Sequence, residues 1–271
     1  SMQKIATVLT IAGSDSSGGA GIQADLKTML AHGVYGMSAI TALTAQNTMG
    51  VTAVQEATPE FLAAQLDAVF TDIRPDAVKV GMVSSAALIG VIADRLRKYG
   101  AGHVVVDPVM VATSGAKLIA DEAVTALQEQ LFPLAELITP NVPELEALSV
   151  EKVDSEETLA AAARKVGQAH AVNVLGKGGH FGEEANDVLV TGNAIKWYNG
   201  QRIDNPNTHG TGCTLSSAIA ANLAKGYVLE EAVWLAKDYL TGALLAGMDL
   251  GQGHGPLNHG FALSGDFFSE K

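Results

Sequence analysis

Short apolar segments alternate with amphipathic helical segments along almost the whole chain, and this alternation limits the possible folds more than any other feature. Strands that are separated by helices build a mostly parallel sheet with helices on both faces. The sequence therefore predicts an α/β fold. The predicted strands cover residues 5–12, 37–43, 77–80, 103–107, 137–139 and 171–175, and the predicted helices cover 22–32, 59–71, 85–99, 121–131, 156–168, 214–224 and 229–246.

Two local signals refine this pattern. Thr58 precedes Pro59, which predicts a helix start that is capped by the threonine hydroxyl and has proline in its first turn. The Asn199–Gly200 pair is typical of a tight hairpin turn, here between strands at 195–198 and 201–203.

The composition fits one globular domain from residue 2 to residue 271, with Ser1 set aside as an expression-tag remnant. No segment approaches the roughly 20 consecutive apolar residues that a membrane span needs. The net charge of −12 argues against a nucleic-acid partner, although not against a single nucleotide. The one cysteine, Cys213, excludes an intrachain disulfide and suits a reducing cytoplasm. We therefore expect a cytoplasmic protein with no nucleic-acid or membrane partner.

The densest candidate loop is the segment 207–214, which runs into an apolar helix. Gly210 and Gly212 let the backbone approach a ligand, and a helix start presents backbone N–H groups and a positive dipole end to an anion. Cys213 lies where that dipole favours a thiolate, which makes it a candidate proton acceptor or nucleophile. The alternative is an ordinary turn before a helix, with threonine as the cap.

Three other predicted strand ends carry polar groups. The Gly13–Gly21 loop has neither the dinucleotide-binding nor the Walker A spacing. It is either a flexible connection or a substrate-contacting loop with Asp15 and Asp25 nearby. Lys177 lies between glycines, where an ammonium could meet phosphate oxygens. Asp107 is either a turn residue or an acidic group near a metal.

Asn141 and Glu144 follow a further predicted strand, three residues apart. Oxygen donors at this spacing suit Mg²⁺, which usually takes one or two protein oxygens, often through water. The alternative is a capping arrangement at a helix start, with Glu144 in the first turn. The convergence of five such motifs at strand ends favours a phosphotransferase, because ligands of α/β sheets bind there.

In combination these motifs resemble the hydroxymethylpyrimidine/phosphomethylpyrimidine kinases of thiamin biosynthesis, within the ribokinase-like superfamily. The resemblance covers almost the whole chain, from about Ile5 to His259. It implies a three-layer α/β/α fold, ATP and Mg²⁺ as cosubstrates, and a homodimer. The segments that carry it are GSDSSGGAGIQADLKT, TAQNT, DPVM, TPNVPE, GKGGH and NTHGTGCT.

The resemblance also implies roles for individual residues. Cys213 is similar to the family's catalytic base, where the wider superfamily usually has aspartate. Gln46 matches an amide that pairs with the pyrimidine ring edge. The anion hole is implied at Gly210, Thr211, Gly212 and Cys213, the metal site at Asn141, Glu144 and Asp107, nucleotide phosphate contacts at Lys177, Thr208 and His209, and the pyrimidine pocket at Gly13, Asp25 and Met82.

The expected function is ATP-dependent phosphorylation of 4-amino-5-hydroxymethyl-2-methylpyrimidine and then of its monophosphate to the diphosphate. Whether Cys213 or the substrate phosphate accepts the proton in the second step stays open. Three alternatives remain. One is a pyridoxal/pyridoxine kinase of the same superfamily. Another is a thiol hydrolase that pairs Cys213 with His209. The last is a nucleotide-binding regulatory domain without turnover.

Overall fold

A computed structural model describes residues 4–110, 119–179, 181, 185–200, 203 and 209–268. Strands and helices alternate through these residues. The strands are β1 (Thr7–Ala12), β2 (Tyr35–Ile40), β3 (Ala42–Asn47), β4 (Gly50–Glu56), β5 (Ala77–Val80), β6 (Val104–Val106), β7 (Leu137–Ile138), β8 (Asn173–Lys177), β9 (Asp187–Thr191) and β10 (Ala194–Tyr198).

The helices flank these strands. They are α1 (Gly21–Ala31), α2 (Pro59–Phe70), α3 (Ala86–Lys98), α4 (Asp121–Ala126), α5 (Val142–Ser149), α6 (Glu156–His170), α7 (Thr211–Ala224) and α8 (Leu229–Ala246). A π-helical turn, Leu127–Leu131, and a 3-10 turn, Phe132–Leu134, continue α4. Within the described part of the chain, no helix combines the length and the apolar character that crossing a membrane requires.

Eight strands form the central sheet in the order β10-β9-β8-β7-β6-β5-β1-β2. Six neighbouring strands pair in parallel, in the order β8, β7, β6, β5, β1 and β2. Strand β9 runs antiparallel to both of its neighbours, β8 and β10. Side chains of successive strand residues point to opposite faces, so Val104 and Val106 enter one apolar cluster and Val105 enters the other. Helices cover both faces, which confirms the predicted α/β/α architecture.

The predicted strand at 37–43 is wrong in its extent. The chain leaves the central sheet at Ile40 and starts a separate hairpin at Ala42, in which β3 pairs with β4. Thr41 forms the joint, because its N–H donates to Ala12 O and its own carbonyl accepts from Ala57 N. The apolar run is continuous in sequence although its two halves have different partners, so its pattern could not reveal the break.

Asn199 and Gly200 carry no turn assignment, and Gln201, which would close the predicted turn, lies outside the described residues. Gly200 O accepts a hydrogen bond from Ala185 N, which continues the antiparallel pairing of β9 and β10 beyond Tyr198. The second strand of the predicted hairpin falls on residues that include 201 and 202, which lie outside the described residues. By contrast, the capping prediction is confirmed, since the Thr58 side chain accepts from Phe61 N at the start of α2.

Candidate active site

The polar strand ends meet at the carboxyl edge of the central sheet. The Lys177 backbone N–H donates to Pro140 O, which joins the ends of β7 and β8. The Nζ atom of Lys177 lies 4.0 Å from Oδ1 of Asp107, which follows β6. The first turn of α7 lies against both groups, because a Cβ built on Gly212 would be 3.4 Å from Asp107 Oδ2 and 3.5 Å from Lys177 Nζ. Three of the predicted phosphate-side motifs therefore share one place.

The loop before α7 fits tightly against the first glycine-rich loop. Gly210 has φ of 87°, and a Cβ at this position would lie 1.9 Å from Gly19 O. Only glycine accommodates both the left-handed backbone and this close approach. α7 begins at Thr211, three residues earlier than predicted. Its N-terminal turn thus directs backbone N–H groups to the space beside Lys177, as an anion site requires.

Cys213 lies in the first turn of α7, partly buried, and its sulfur receives the backbone N–H of Gly21. Burial raises the pKa of the Cys213 thiol. The Lys79 ammonium opposes this rise, while the Asp25 and Asp107 carboxylates add to it. The sequence predicted that the helix dipole would favour the thiolate. The structure gives the opposite net direction, because burial and two carboxylates outweigh the dipole and the nearby cation.

Asn141 and Glu144 form the capping box that was the alternative to a metal site. The Asn141 side chain accepts from Glu144 N at 3.0 Å, and Glu144 Oε1 accepts from Asn141 N at 3.0 Å. Glu144 Oε2 also accepts from Met110 N at 3.3 Å. Burial and the neighbouring Asp107 carboxylate raise the pKa of Glu144 to about 7, which Lys177 only partly offsets. Two buried carboxylates with one lysine leave excess negative charge, so the capping role and a cation are compatible.

The residues expected on the pyrimidine side are brought together with one exception. Gly13 packs against Thr41 and Ala42 at the start of β3, and the Thr41 hydroxyl donates to Met82 O at 3.4 Å. Gln46 lies on β3 and exchanges two hydrogen bonds with Ser16 of the glycine-rich loop, through its backbone N–H and carbonyl. The Gln46 side-chain oxygen accepts from the Thr44 hydroxyl at 3.2 Å.

Asp25 is the exception, because it does not line an open pocket. Its side chain is fully buried, and both carboxylate oxygens lie 2.9 Å from Lys79 Nζ. The hydroxyl groups of Thr10 and Ser217 also donate to it, each at 2.6 Å. A carboxylate with these four hydrogen bonds from three side chains has its hydrogen-bonding capacity used within the protein. The expectation of a direct substrate contact is therefore not met, and Asp25 lies beneath the site.

His209 was expected beside the nucleotide phosphates, but its Nε2 atom pairs with Asp15 Oδ2 at 2.7 Å. Asp15 also accepts from the backbone N–H groups of Ser17, Gly19 and Ala20. Burial alone would raise the pKa of Asp15, but hydrogen bonds from Ser17 and His209 outweigh it and lower the pKa. The Asp15–His209 pair links the Gly13–Gly21 loop to the loop before α7. It also occupies the Nε2 atom of His209, which a thiol hydrolase could use to pair His209 with Cys213. Thr208 lies outside the described residues.

A second histidine, which the sequence reasoning did not identify, holds the C-terminal segment against α7. The buried Nε2 of His259 lies 2.8 Å from the Thr214 hydroxyl, next to Cys213. The Tyr239 hydroxyl donates to His259 O at 2.6 Å. Burial and, to a smaller extent, the Lys27 charge lower the pKa of His259 from 6.5 to about 4. The imidazole is therefore neutral at pH 7 in the folded protein.

This depressed pKa predicts acid sensitivity. The unfolded chain binds the His259 proton more readily, so the stabilising contribution is complete above about pH 6.5 and is lost as the pH falls to about 4. The contribution is on the order of 3 kcal/mol. Urea unfolding of the protein and of His259→Gln between pH 4 and pH 8 should show a flatter pH dependence in the variant. Thr214→Val should keep the steep dependence, because it leaves the buried imidazole in place. Equal slopes for the protein and His259→Gln would contradict the assignment.

Two cavities lie at the opposite, amino-terminal edge of the sheet. Their volumes are about 420 and 530 Å³, and both are lined in part by Glu136 and Asn173. Of the described residues, none that the sequence nominated lines either cavity. The convergence of Lys177, Asp107 and the α7 turn makes the carboxyl edge the candidate active site instead.

Comparison with known proteins gives a consistent result. A family model described as phosphomethylpyrimidine kinase matches residues 15–258. The chain is 52% identical to a hydroxymethylpyrimidine/phosphomethylpyrimidine kinase of Rhizobium meliloti, over 94% of this chain and 97% of the relative. It is 54% identical to a thiamine biosynthesis bifunctional protein of Geobacter sulfurreducens over 93% of this chain, and it spans only about half of that protein, 52%.

A solved structure adds a second enzyme name. An ADP complex of Bacillus subtilis pyridoxal kinase superposes with a TM-score of 0.87 and is 39% identical, covering 95% of this chain and 98% of that chain. The similarity extends over the sheet and both helical layers, so it supports the ribokinase-like architecture that the resemblance implied.

Proposed function

The chain belongs to the phosphomethylpyrimidine kinase family, and from this premise we propose that it phosphorylates hydroxymethylpyrimidine with ATP. It is a phosphotransferase, and its product monophosphate is then phosphorylated to the diphosphate, as thiamine biosynthesis requires. The observation that carries this proposal is the contact of the α7 N-terminal turn with Lys177 and Asp107. Phosphoryl transfer depends mainly on positioning and on stabilising charge, and this arrangement supplies both.

The pyrimidine lies between the glycine-rich loop and the β3–β4 hairpin in our proposal. The Ser16 hydroxyl makes hydrogen bonds with the backbone N–H and carbonyl of Gln46, which fixes the position of this residue. The side-chain amide of Gln46 can then pair with the edge of an aminopyrimidine. Gly13 and Met82 bound the ring. The hydroxymethyl group then points to Cys213, which the Gly21 N–H holds in place.

The transfer step needs a proton acceptor and a set of groups that bind the phosphoryl group as it moves. The Cys213 thiolate accepts the hydroxyl proton while the hydroxyl oxygen bonds to the γ-phosphorus and the bond to ADP breaks. The N–H groups of Gly210–Cys213 hold the equatorial oxygens, and Lys177 neutralises triphosphate charge. Thr208 and His209 are proposed to lie near the same phosphates. Because burial raises the pKa of Cys213, the thiolate fraction is small and the rate should increase with pH.

Magnesium is proposed at Glu144, Asn141 and Asp107. Hard oxygen donors fit this cation. Burial and then the Asp107 carboxylate raise the pKa of Glu144, so a cation nearby would stabilise its ionised form. When bound, Mg²⁺ supplies charge neutralisation on the nucleotide phosphates. Glu144 and Asn141 would hold it mainly through water, since each already has a capping hydrogen bond.

A substrate panel tests the function. We expect ADP formation that depends on hydroxymethylpyrimidine and on its monophosphate, with pyridoxal and pyridoxine turned over more slowly. Pyridoxal kinase is the second candidate because of the solved relative of that name. Faster turnover of pyridoxal than of the pyrimidine would make pyridoxal kinase the favoured function. If no acceptor stimulates ADP formation, the kinase assignment is refuted.

Gln46→Leu tests the pyrimidine side alone. Loss of the amide should raise KM for the pyrimidine by about tenfold to a hundredfold, since a mispaired polar edge costs roughly 1–3 kcal/mol. KM for ATP should change by less than about twofold, because Gln46 lies on the hairpin and away from α7. Leu43→Gln, on the same strand and 53% exposed, is the matched control. Equal losses for both substrates would mean that Gln46 supports the fold instead.

Two further properties belong to the proposal. The β3–β4 hairpin stands outside the central sheet and exposes apolar side chains, among them Met49 and Val54. Such a surface supports the homodimer that the resemblance implies. We also propose a cytoplasmic location, since a catalytic thiol on the one cysteine requires reducing conditions.

A further inference from the structure

A buried ion pair lies beneath the carboxyl edge of the sheet. Lys79 on β5 and Asp25 on α1 are both fully buried, with Nζ 2.9 Å from each carboxylate oxygen. Removing such a pair from water costs more than its attraction usually returns, and apolar side chains of similar volume often serve stability equally well. Stability alone therefore does not explain why two charges lie here.

The pair is connected to the helix that carries the proposed base. Ser217 donates to Asp25 Oδ1 at 2.6 Å and lies four residues after Cys213 in α7. Residues four apart lie on the same helix face, so the Cys213 side chain is stacked one turn above Ser217. The Lys79 ammonium also lies against Gly81, directly after β5, because a Cβ on Gly81 would lie 2.9 Å from Nζ.

Several groups from different elements act on the sulfur. Burial has the largest influence and raises the pKa of the Cys213 thiol, followed by the Lys79 cation, which favours the thiolate, and the Asp25 carboxylate, which disfavours it. The cation is permanent in the folded protein, because burial is outweighed by Asp25 and the pKa of Lys79 is raised. The other groups that face Cys213 are Asp107 after β6, Lys177 at the end of β8 and the Gly21 N–H of α1.

We propose that Lys79 and Asp25 are positioning residues for phosphoryl transfer, with the fixed Lys79 cation stabilising the Cys213 thiolate and Asp25 holding that cation beneath it. This inference rests on the proposed role of Cys213 as the base. It reassigns Asp25 from a substrate contact to the support of the catalytic thiol. In the reaction, Cys213 releases its proton to solvent and becomes the thiolate. The thiolate then accepts the substrate hydroxyl proton as the oxygen–phosphorus bond forms and ADP leaves.

The chain has one cysteine, so alkylation by iodoacetamide reports on Cys213 alone. The rate is measured against pH on the full chain without ATP or pyrimidine. Lys79→Met should slow alkylation at pH 8 about tenfold and move the pH midpoint upward, since a lost neighbouring cation disfavours the thiolate. Asp25→Asn should move the midpoint upward as well, but by less than Lys79→Met. A buried Lys79 without its carboxylate partner loses its proton, so the thiolate loses the cation and the opposing carboxylate together. Ser217→Ala, which changes the same network without changing a charge, should leave the midpoint within experimental error.

The order of the midpoints separates electrostatics from damage to the fold. The double variant Lys79→Met/Asp25→Asn should have a lower midpoint than Lys79→Met, because it removes the carboxylate that disfavours the thiolate. A structural role alone would disturb the thiol at least as much in the double variant, and a midpoint as high as that of Lys79→Met would overturn the proposal. Unchanged midpoints would overturn it too. If Lys79→Met fails to fold, Asp25→Asn and the double variant still decide, because their midpoints should coincide above that of the unchanged protein.

The outcome is independent of the kinase assay. Full turnover by Cys213→Ala would refute the base while leaving the alkylation shifts intact. Conversely, an inactive Cys213→Ala with unshifted alkylation profiles in the charge variants would refute the role of Lys79 and Asp25 alone.

Discussion

Replacing Cys213 with alanine is expected to lower turnover by about a hundredfold to ten-thousandfold, the usual contribution of a general base. Nucleotide affinity should stay within about twofold, because in the proposed arrangement the side chain meets the pyrimidine while the α7 backbone holds the phosphates. Turnover and ATP binding are measured separately, by ADP release and by calorimetry with a non-hydrolysable analogue. Full activity in Cys213→Ala would contradict the assignment of the base.

Cys213→Asp is the informative companion variant. The wider superfamily usually carries aspartate at this position, so a carboxylate in this place should restore part of the turnover. A carboxylic acid loses its proton at lower pH than a buried thiol. The rise of kcat with pH should therefore shift to lower pH in Cys213→Asp. An aspartate variant as inactive as Cys213→Ala would show that the thiol acts in another way.

Gly210→Ala is expected to have the second largest effect, with turnover reduced about a hundredfold or more. An added methyl group would overlap Gly19 O and would force a left-handed backbone on alanine. The loop must therefore move, and displacement of reacting groups by about 1 Å costs roughly a hundredfold. Stability should fall by about 1–3 kcal/mol. Both are measured on one preparation, by steady-state kinetics and by urea unfolding.

Gly226→Ala is the matched control for Gly210→Ala. Gly226 has φ of 97°, and a Cβ there would meet nothing within 4 Å. Both variants thus carry backbone strain, but only Gly210→Ala collides with the neighbouring loop. Gly226→Ala should lose about 1 kcal/mol of stability and keep normal turnover. Similar kinetics for the two variants would contradict the importance of the close contact between Gly210 and Gly19 for turnover.

The sequence predicted the layers and the grouping of polar strand ends at one edge of the sheet because both depend on local patterns. Hydrophobic periodicity is read within a segment, and strand-end loops necessarily meet at one edge of a parallel sheet. Lys177, Asp107 and Gly212 could therefore be grouped without coordinates. The break at Thr41 was missed because it depends on which strand the next segment pairs with, not on its composition.

Long-range pairing explains the remaining differences. Asp15 and His209 are separated by 194 positions, and neither local sequence indicates the other. Asp25 and Lys79 are likewise far apart, and an aspartate beside a glycine-rich loop resembles a ligand contact until its partner is known. The raised pKa of Cys213 had the same origin, because burial and nearby carboxylates depend on the tertiary structure whereas the helix dipole does not.

The most direct test is a crystal structure with hydroxymethylpyrimidine, Mg²⁺ and a non-hydrolysable ATP analogue bound together. We predict that the hydroxymethyl oxygen lies within hydrogen-bonding distance of Cys213 Sγ, in line with a γ-phosphate held by the N–H groups of Gly210–Cys213 and by Lys177. A pyrimidine bound with its hydroxymethyl group away from Cys213, or a triphosphate bound away from the α7 N-terminus, would contradict it.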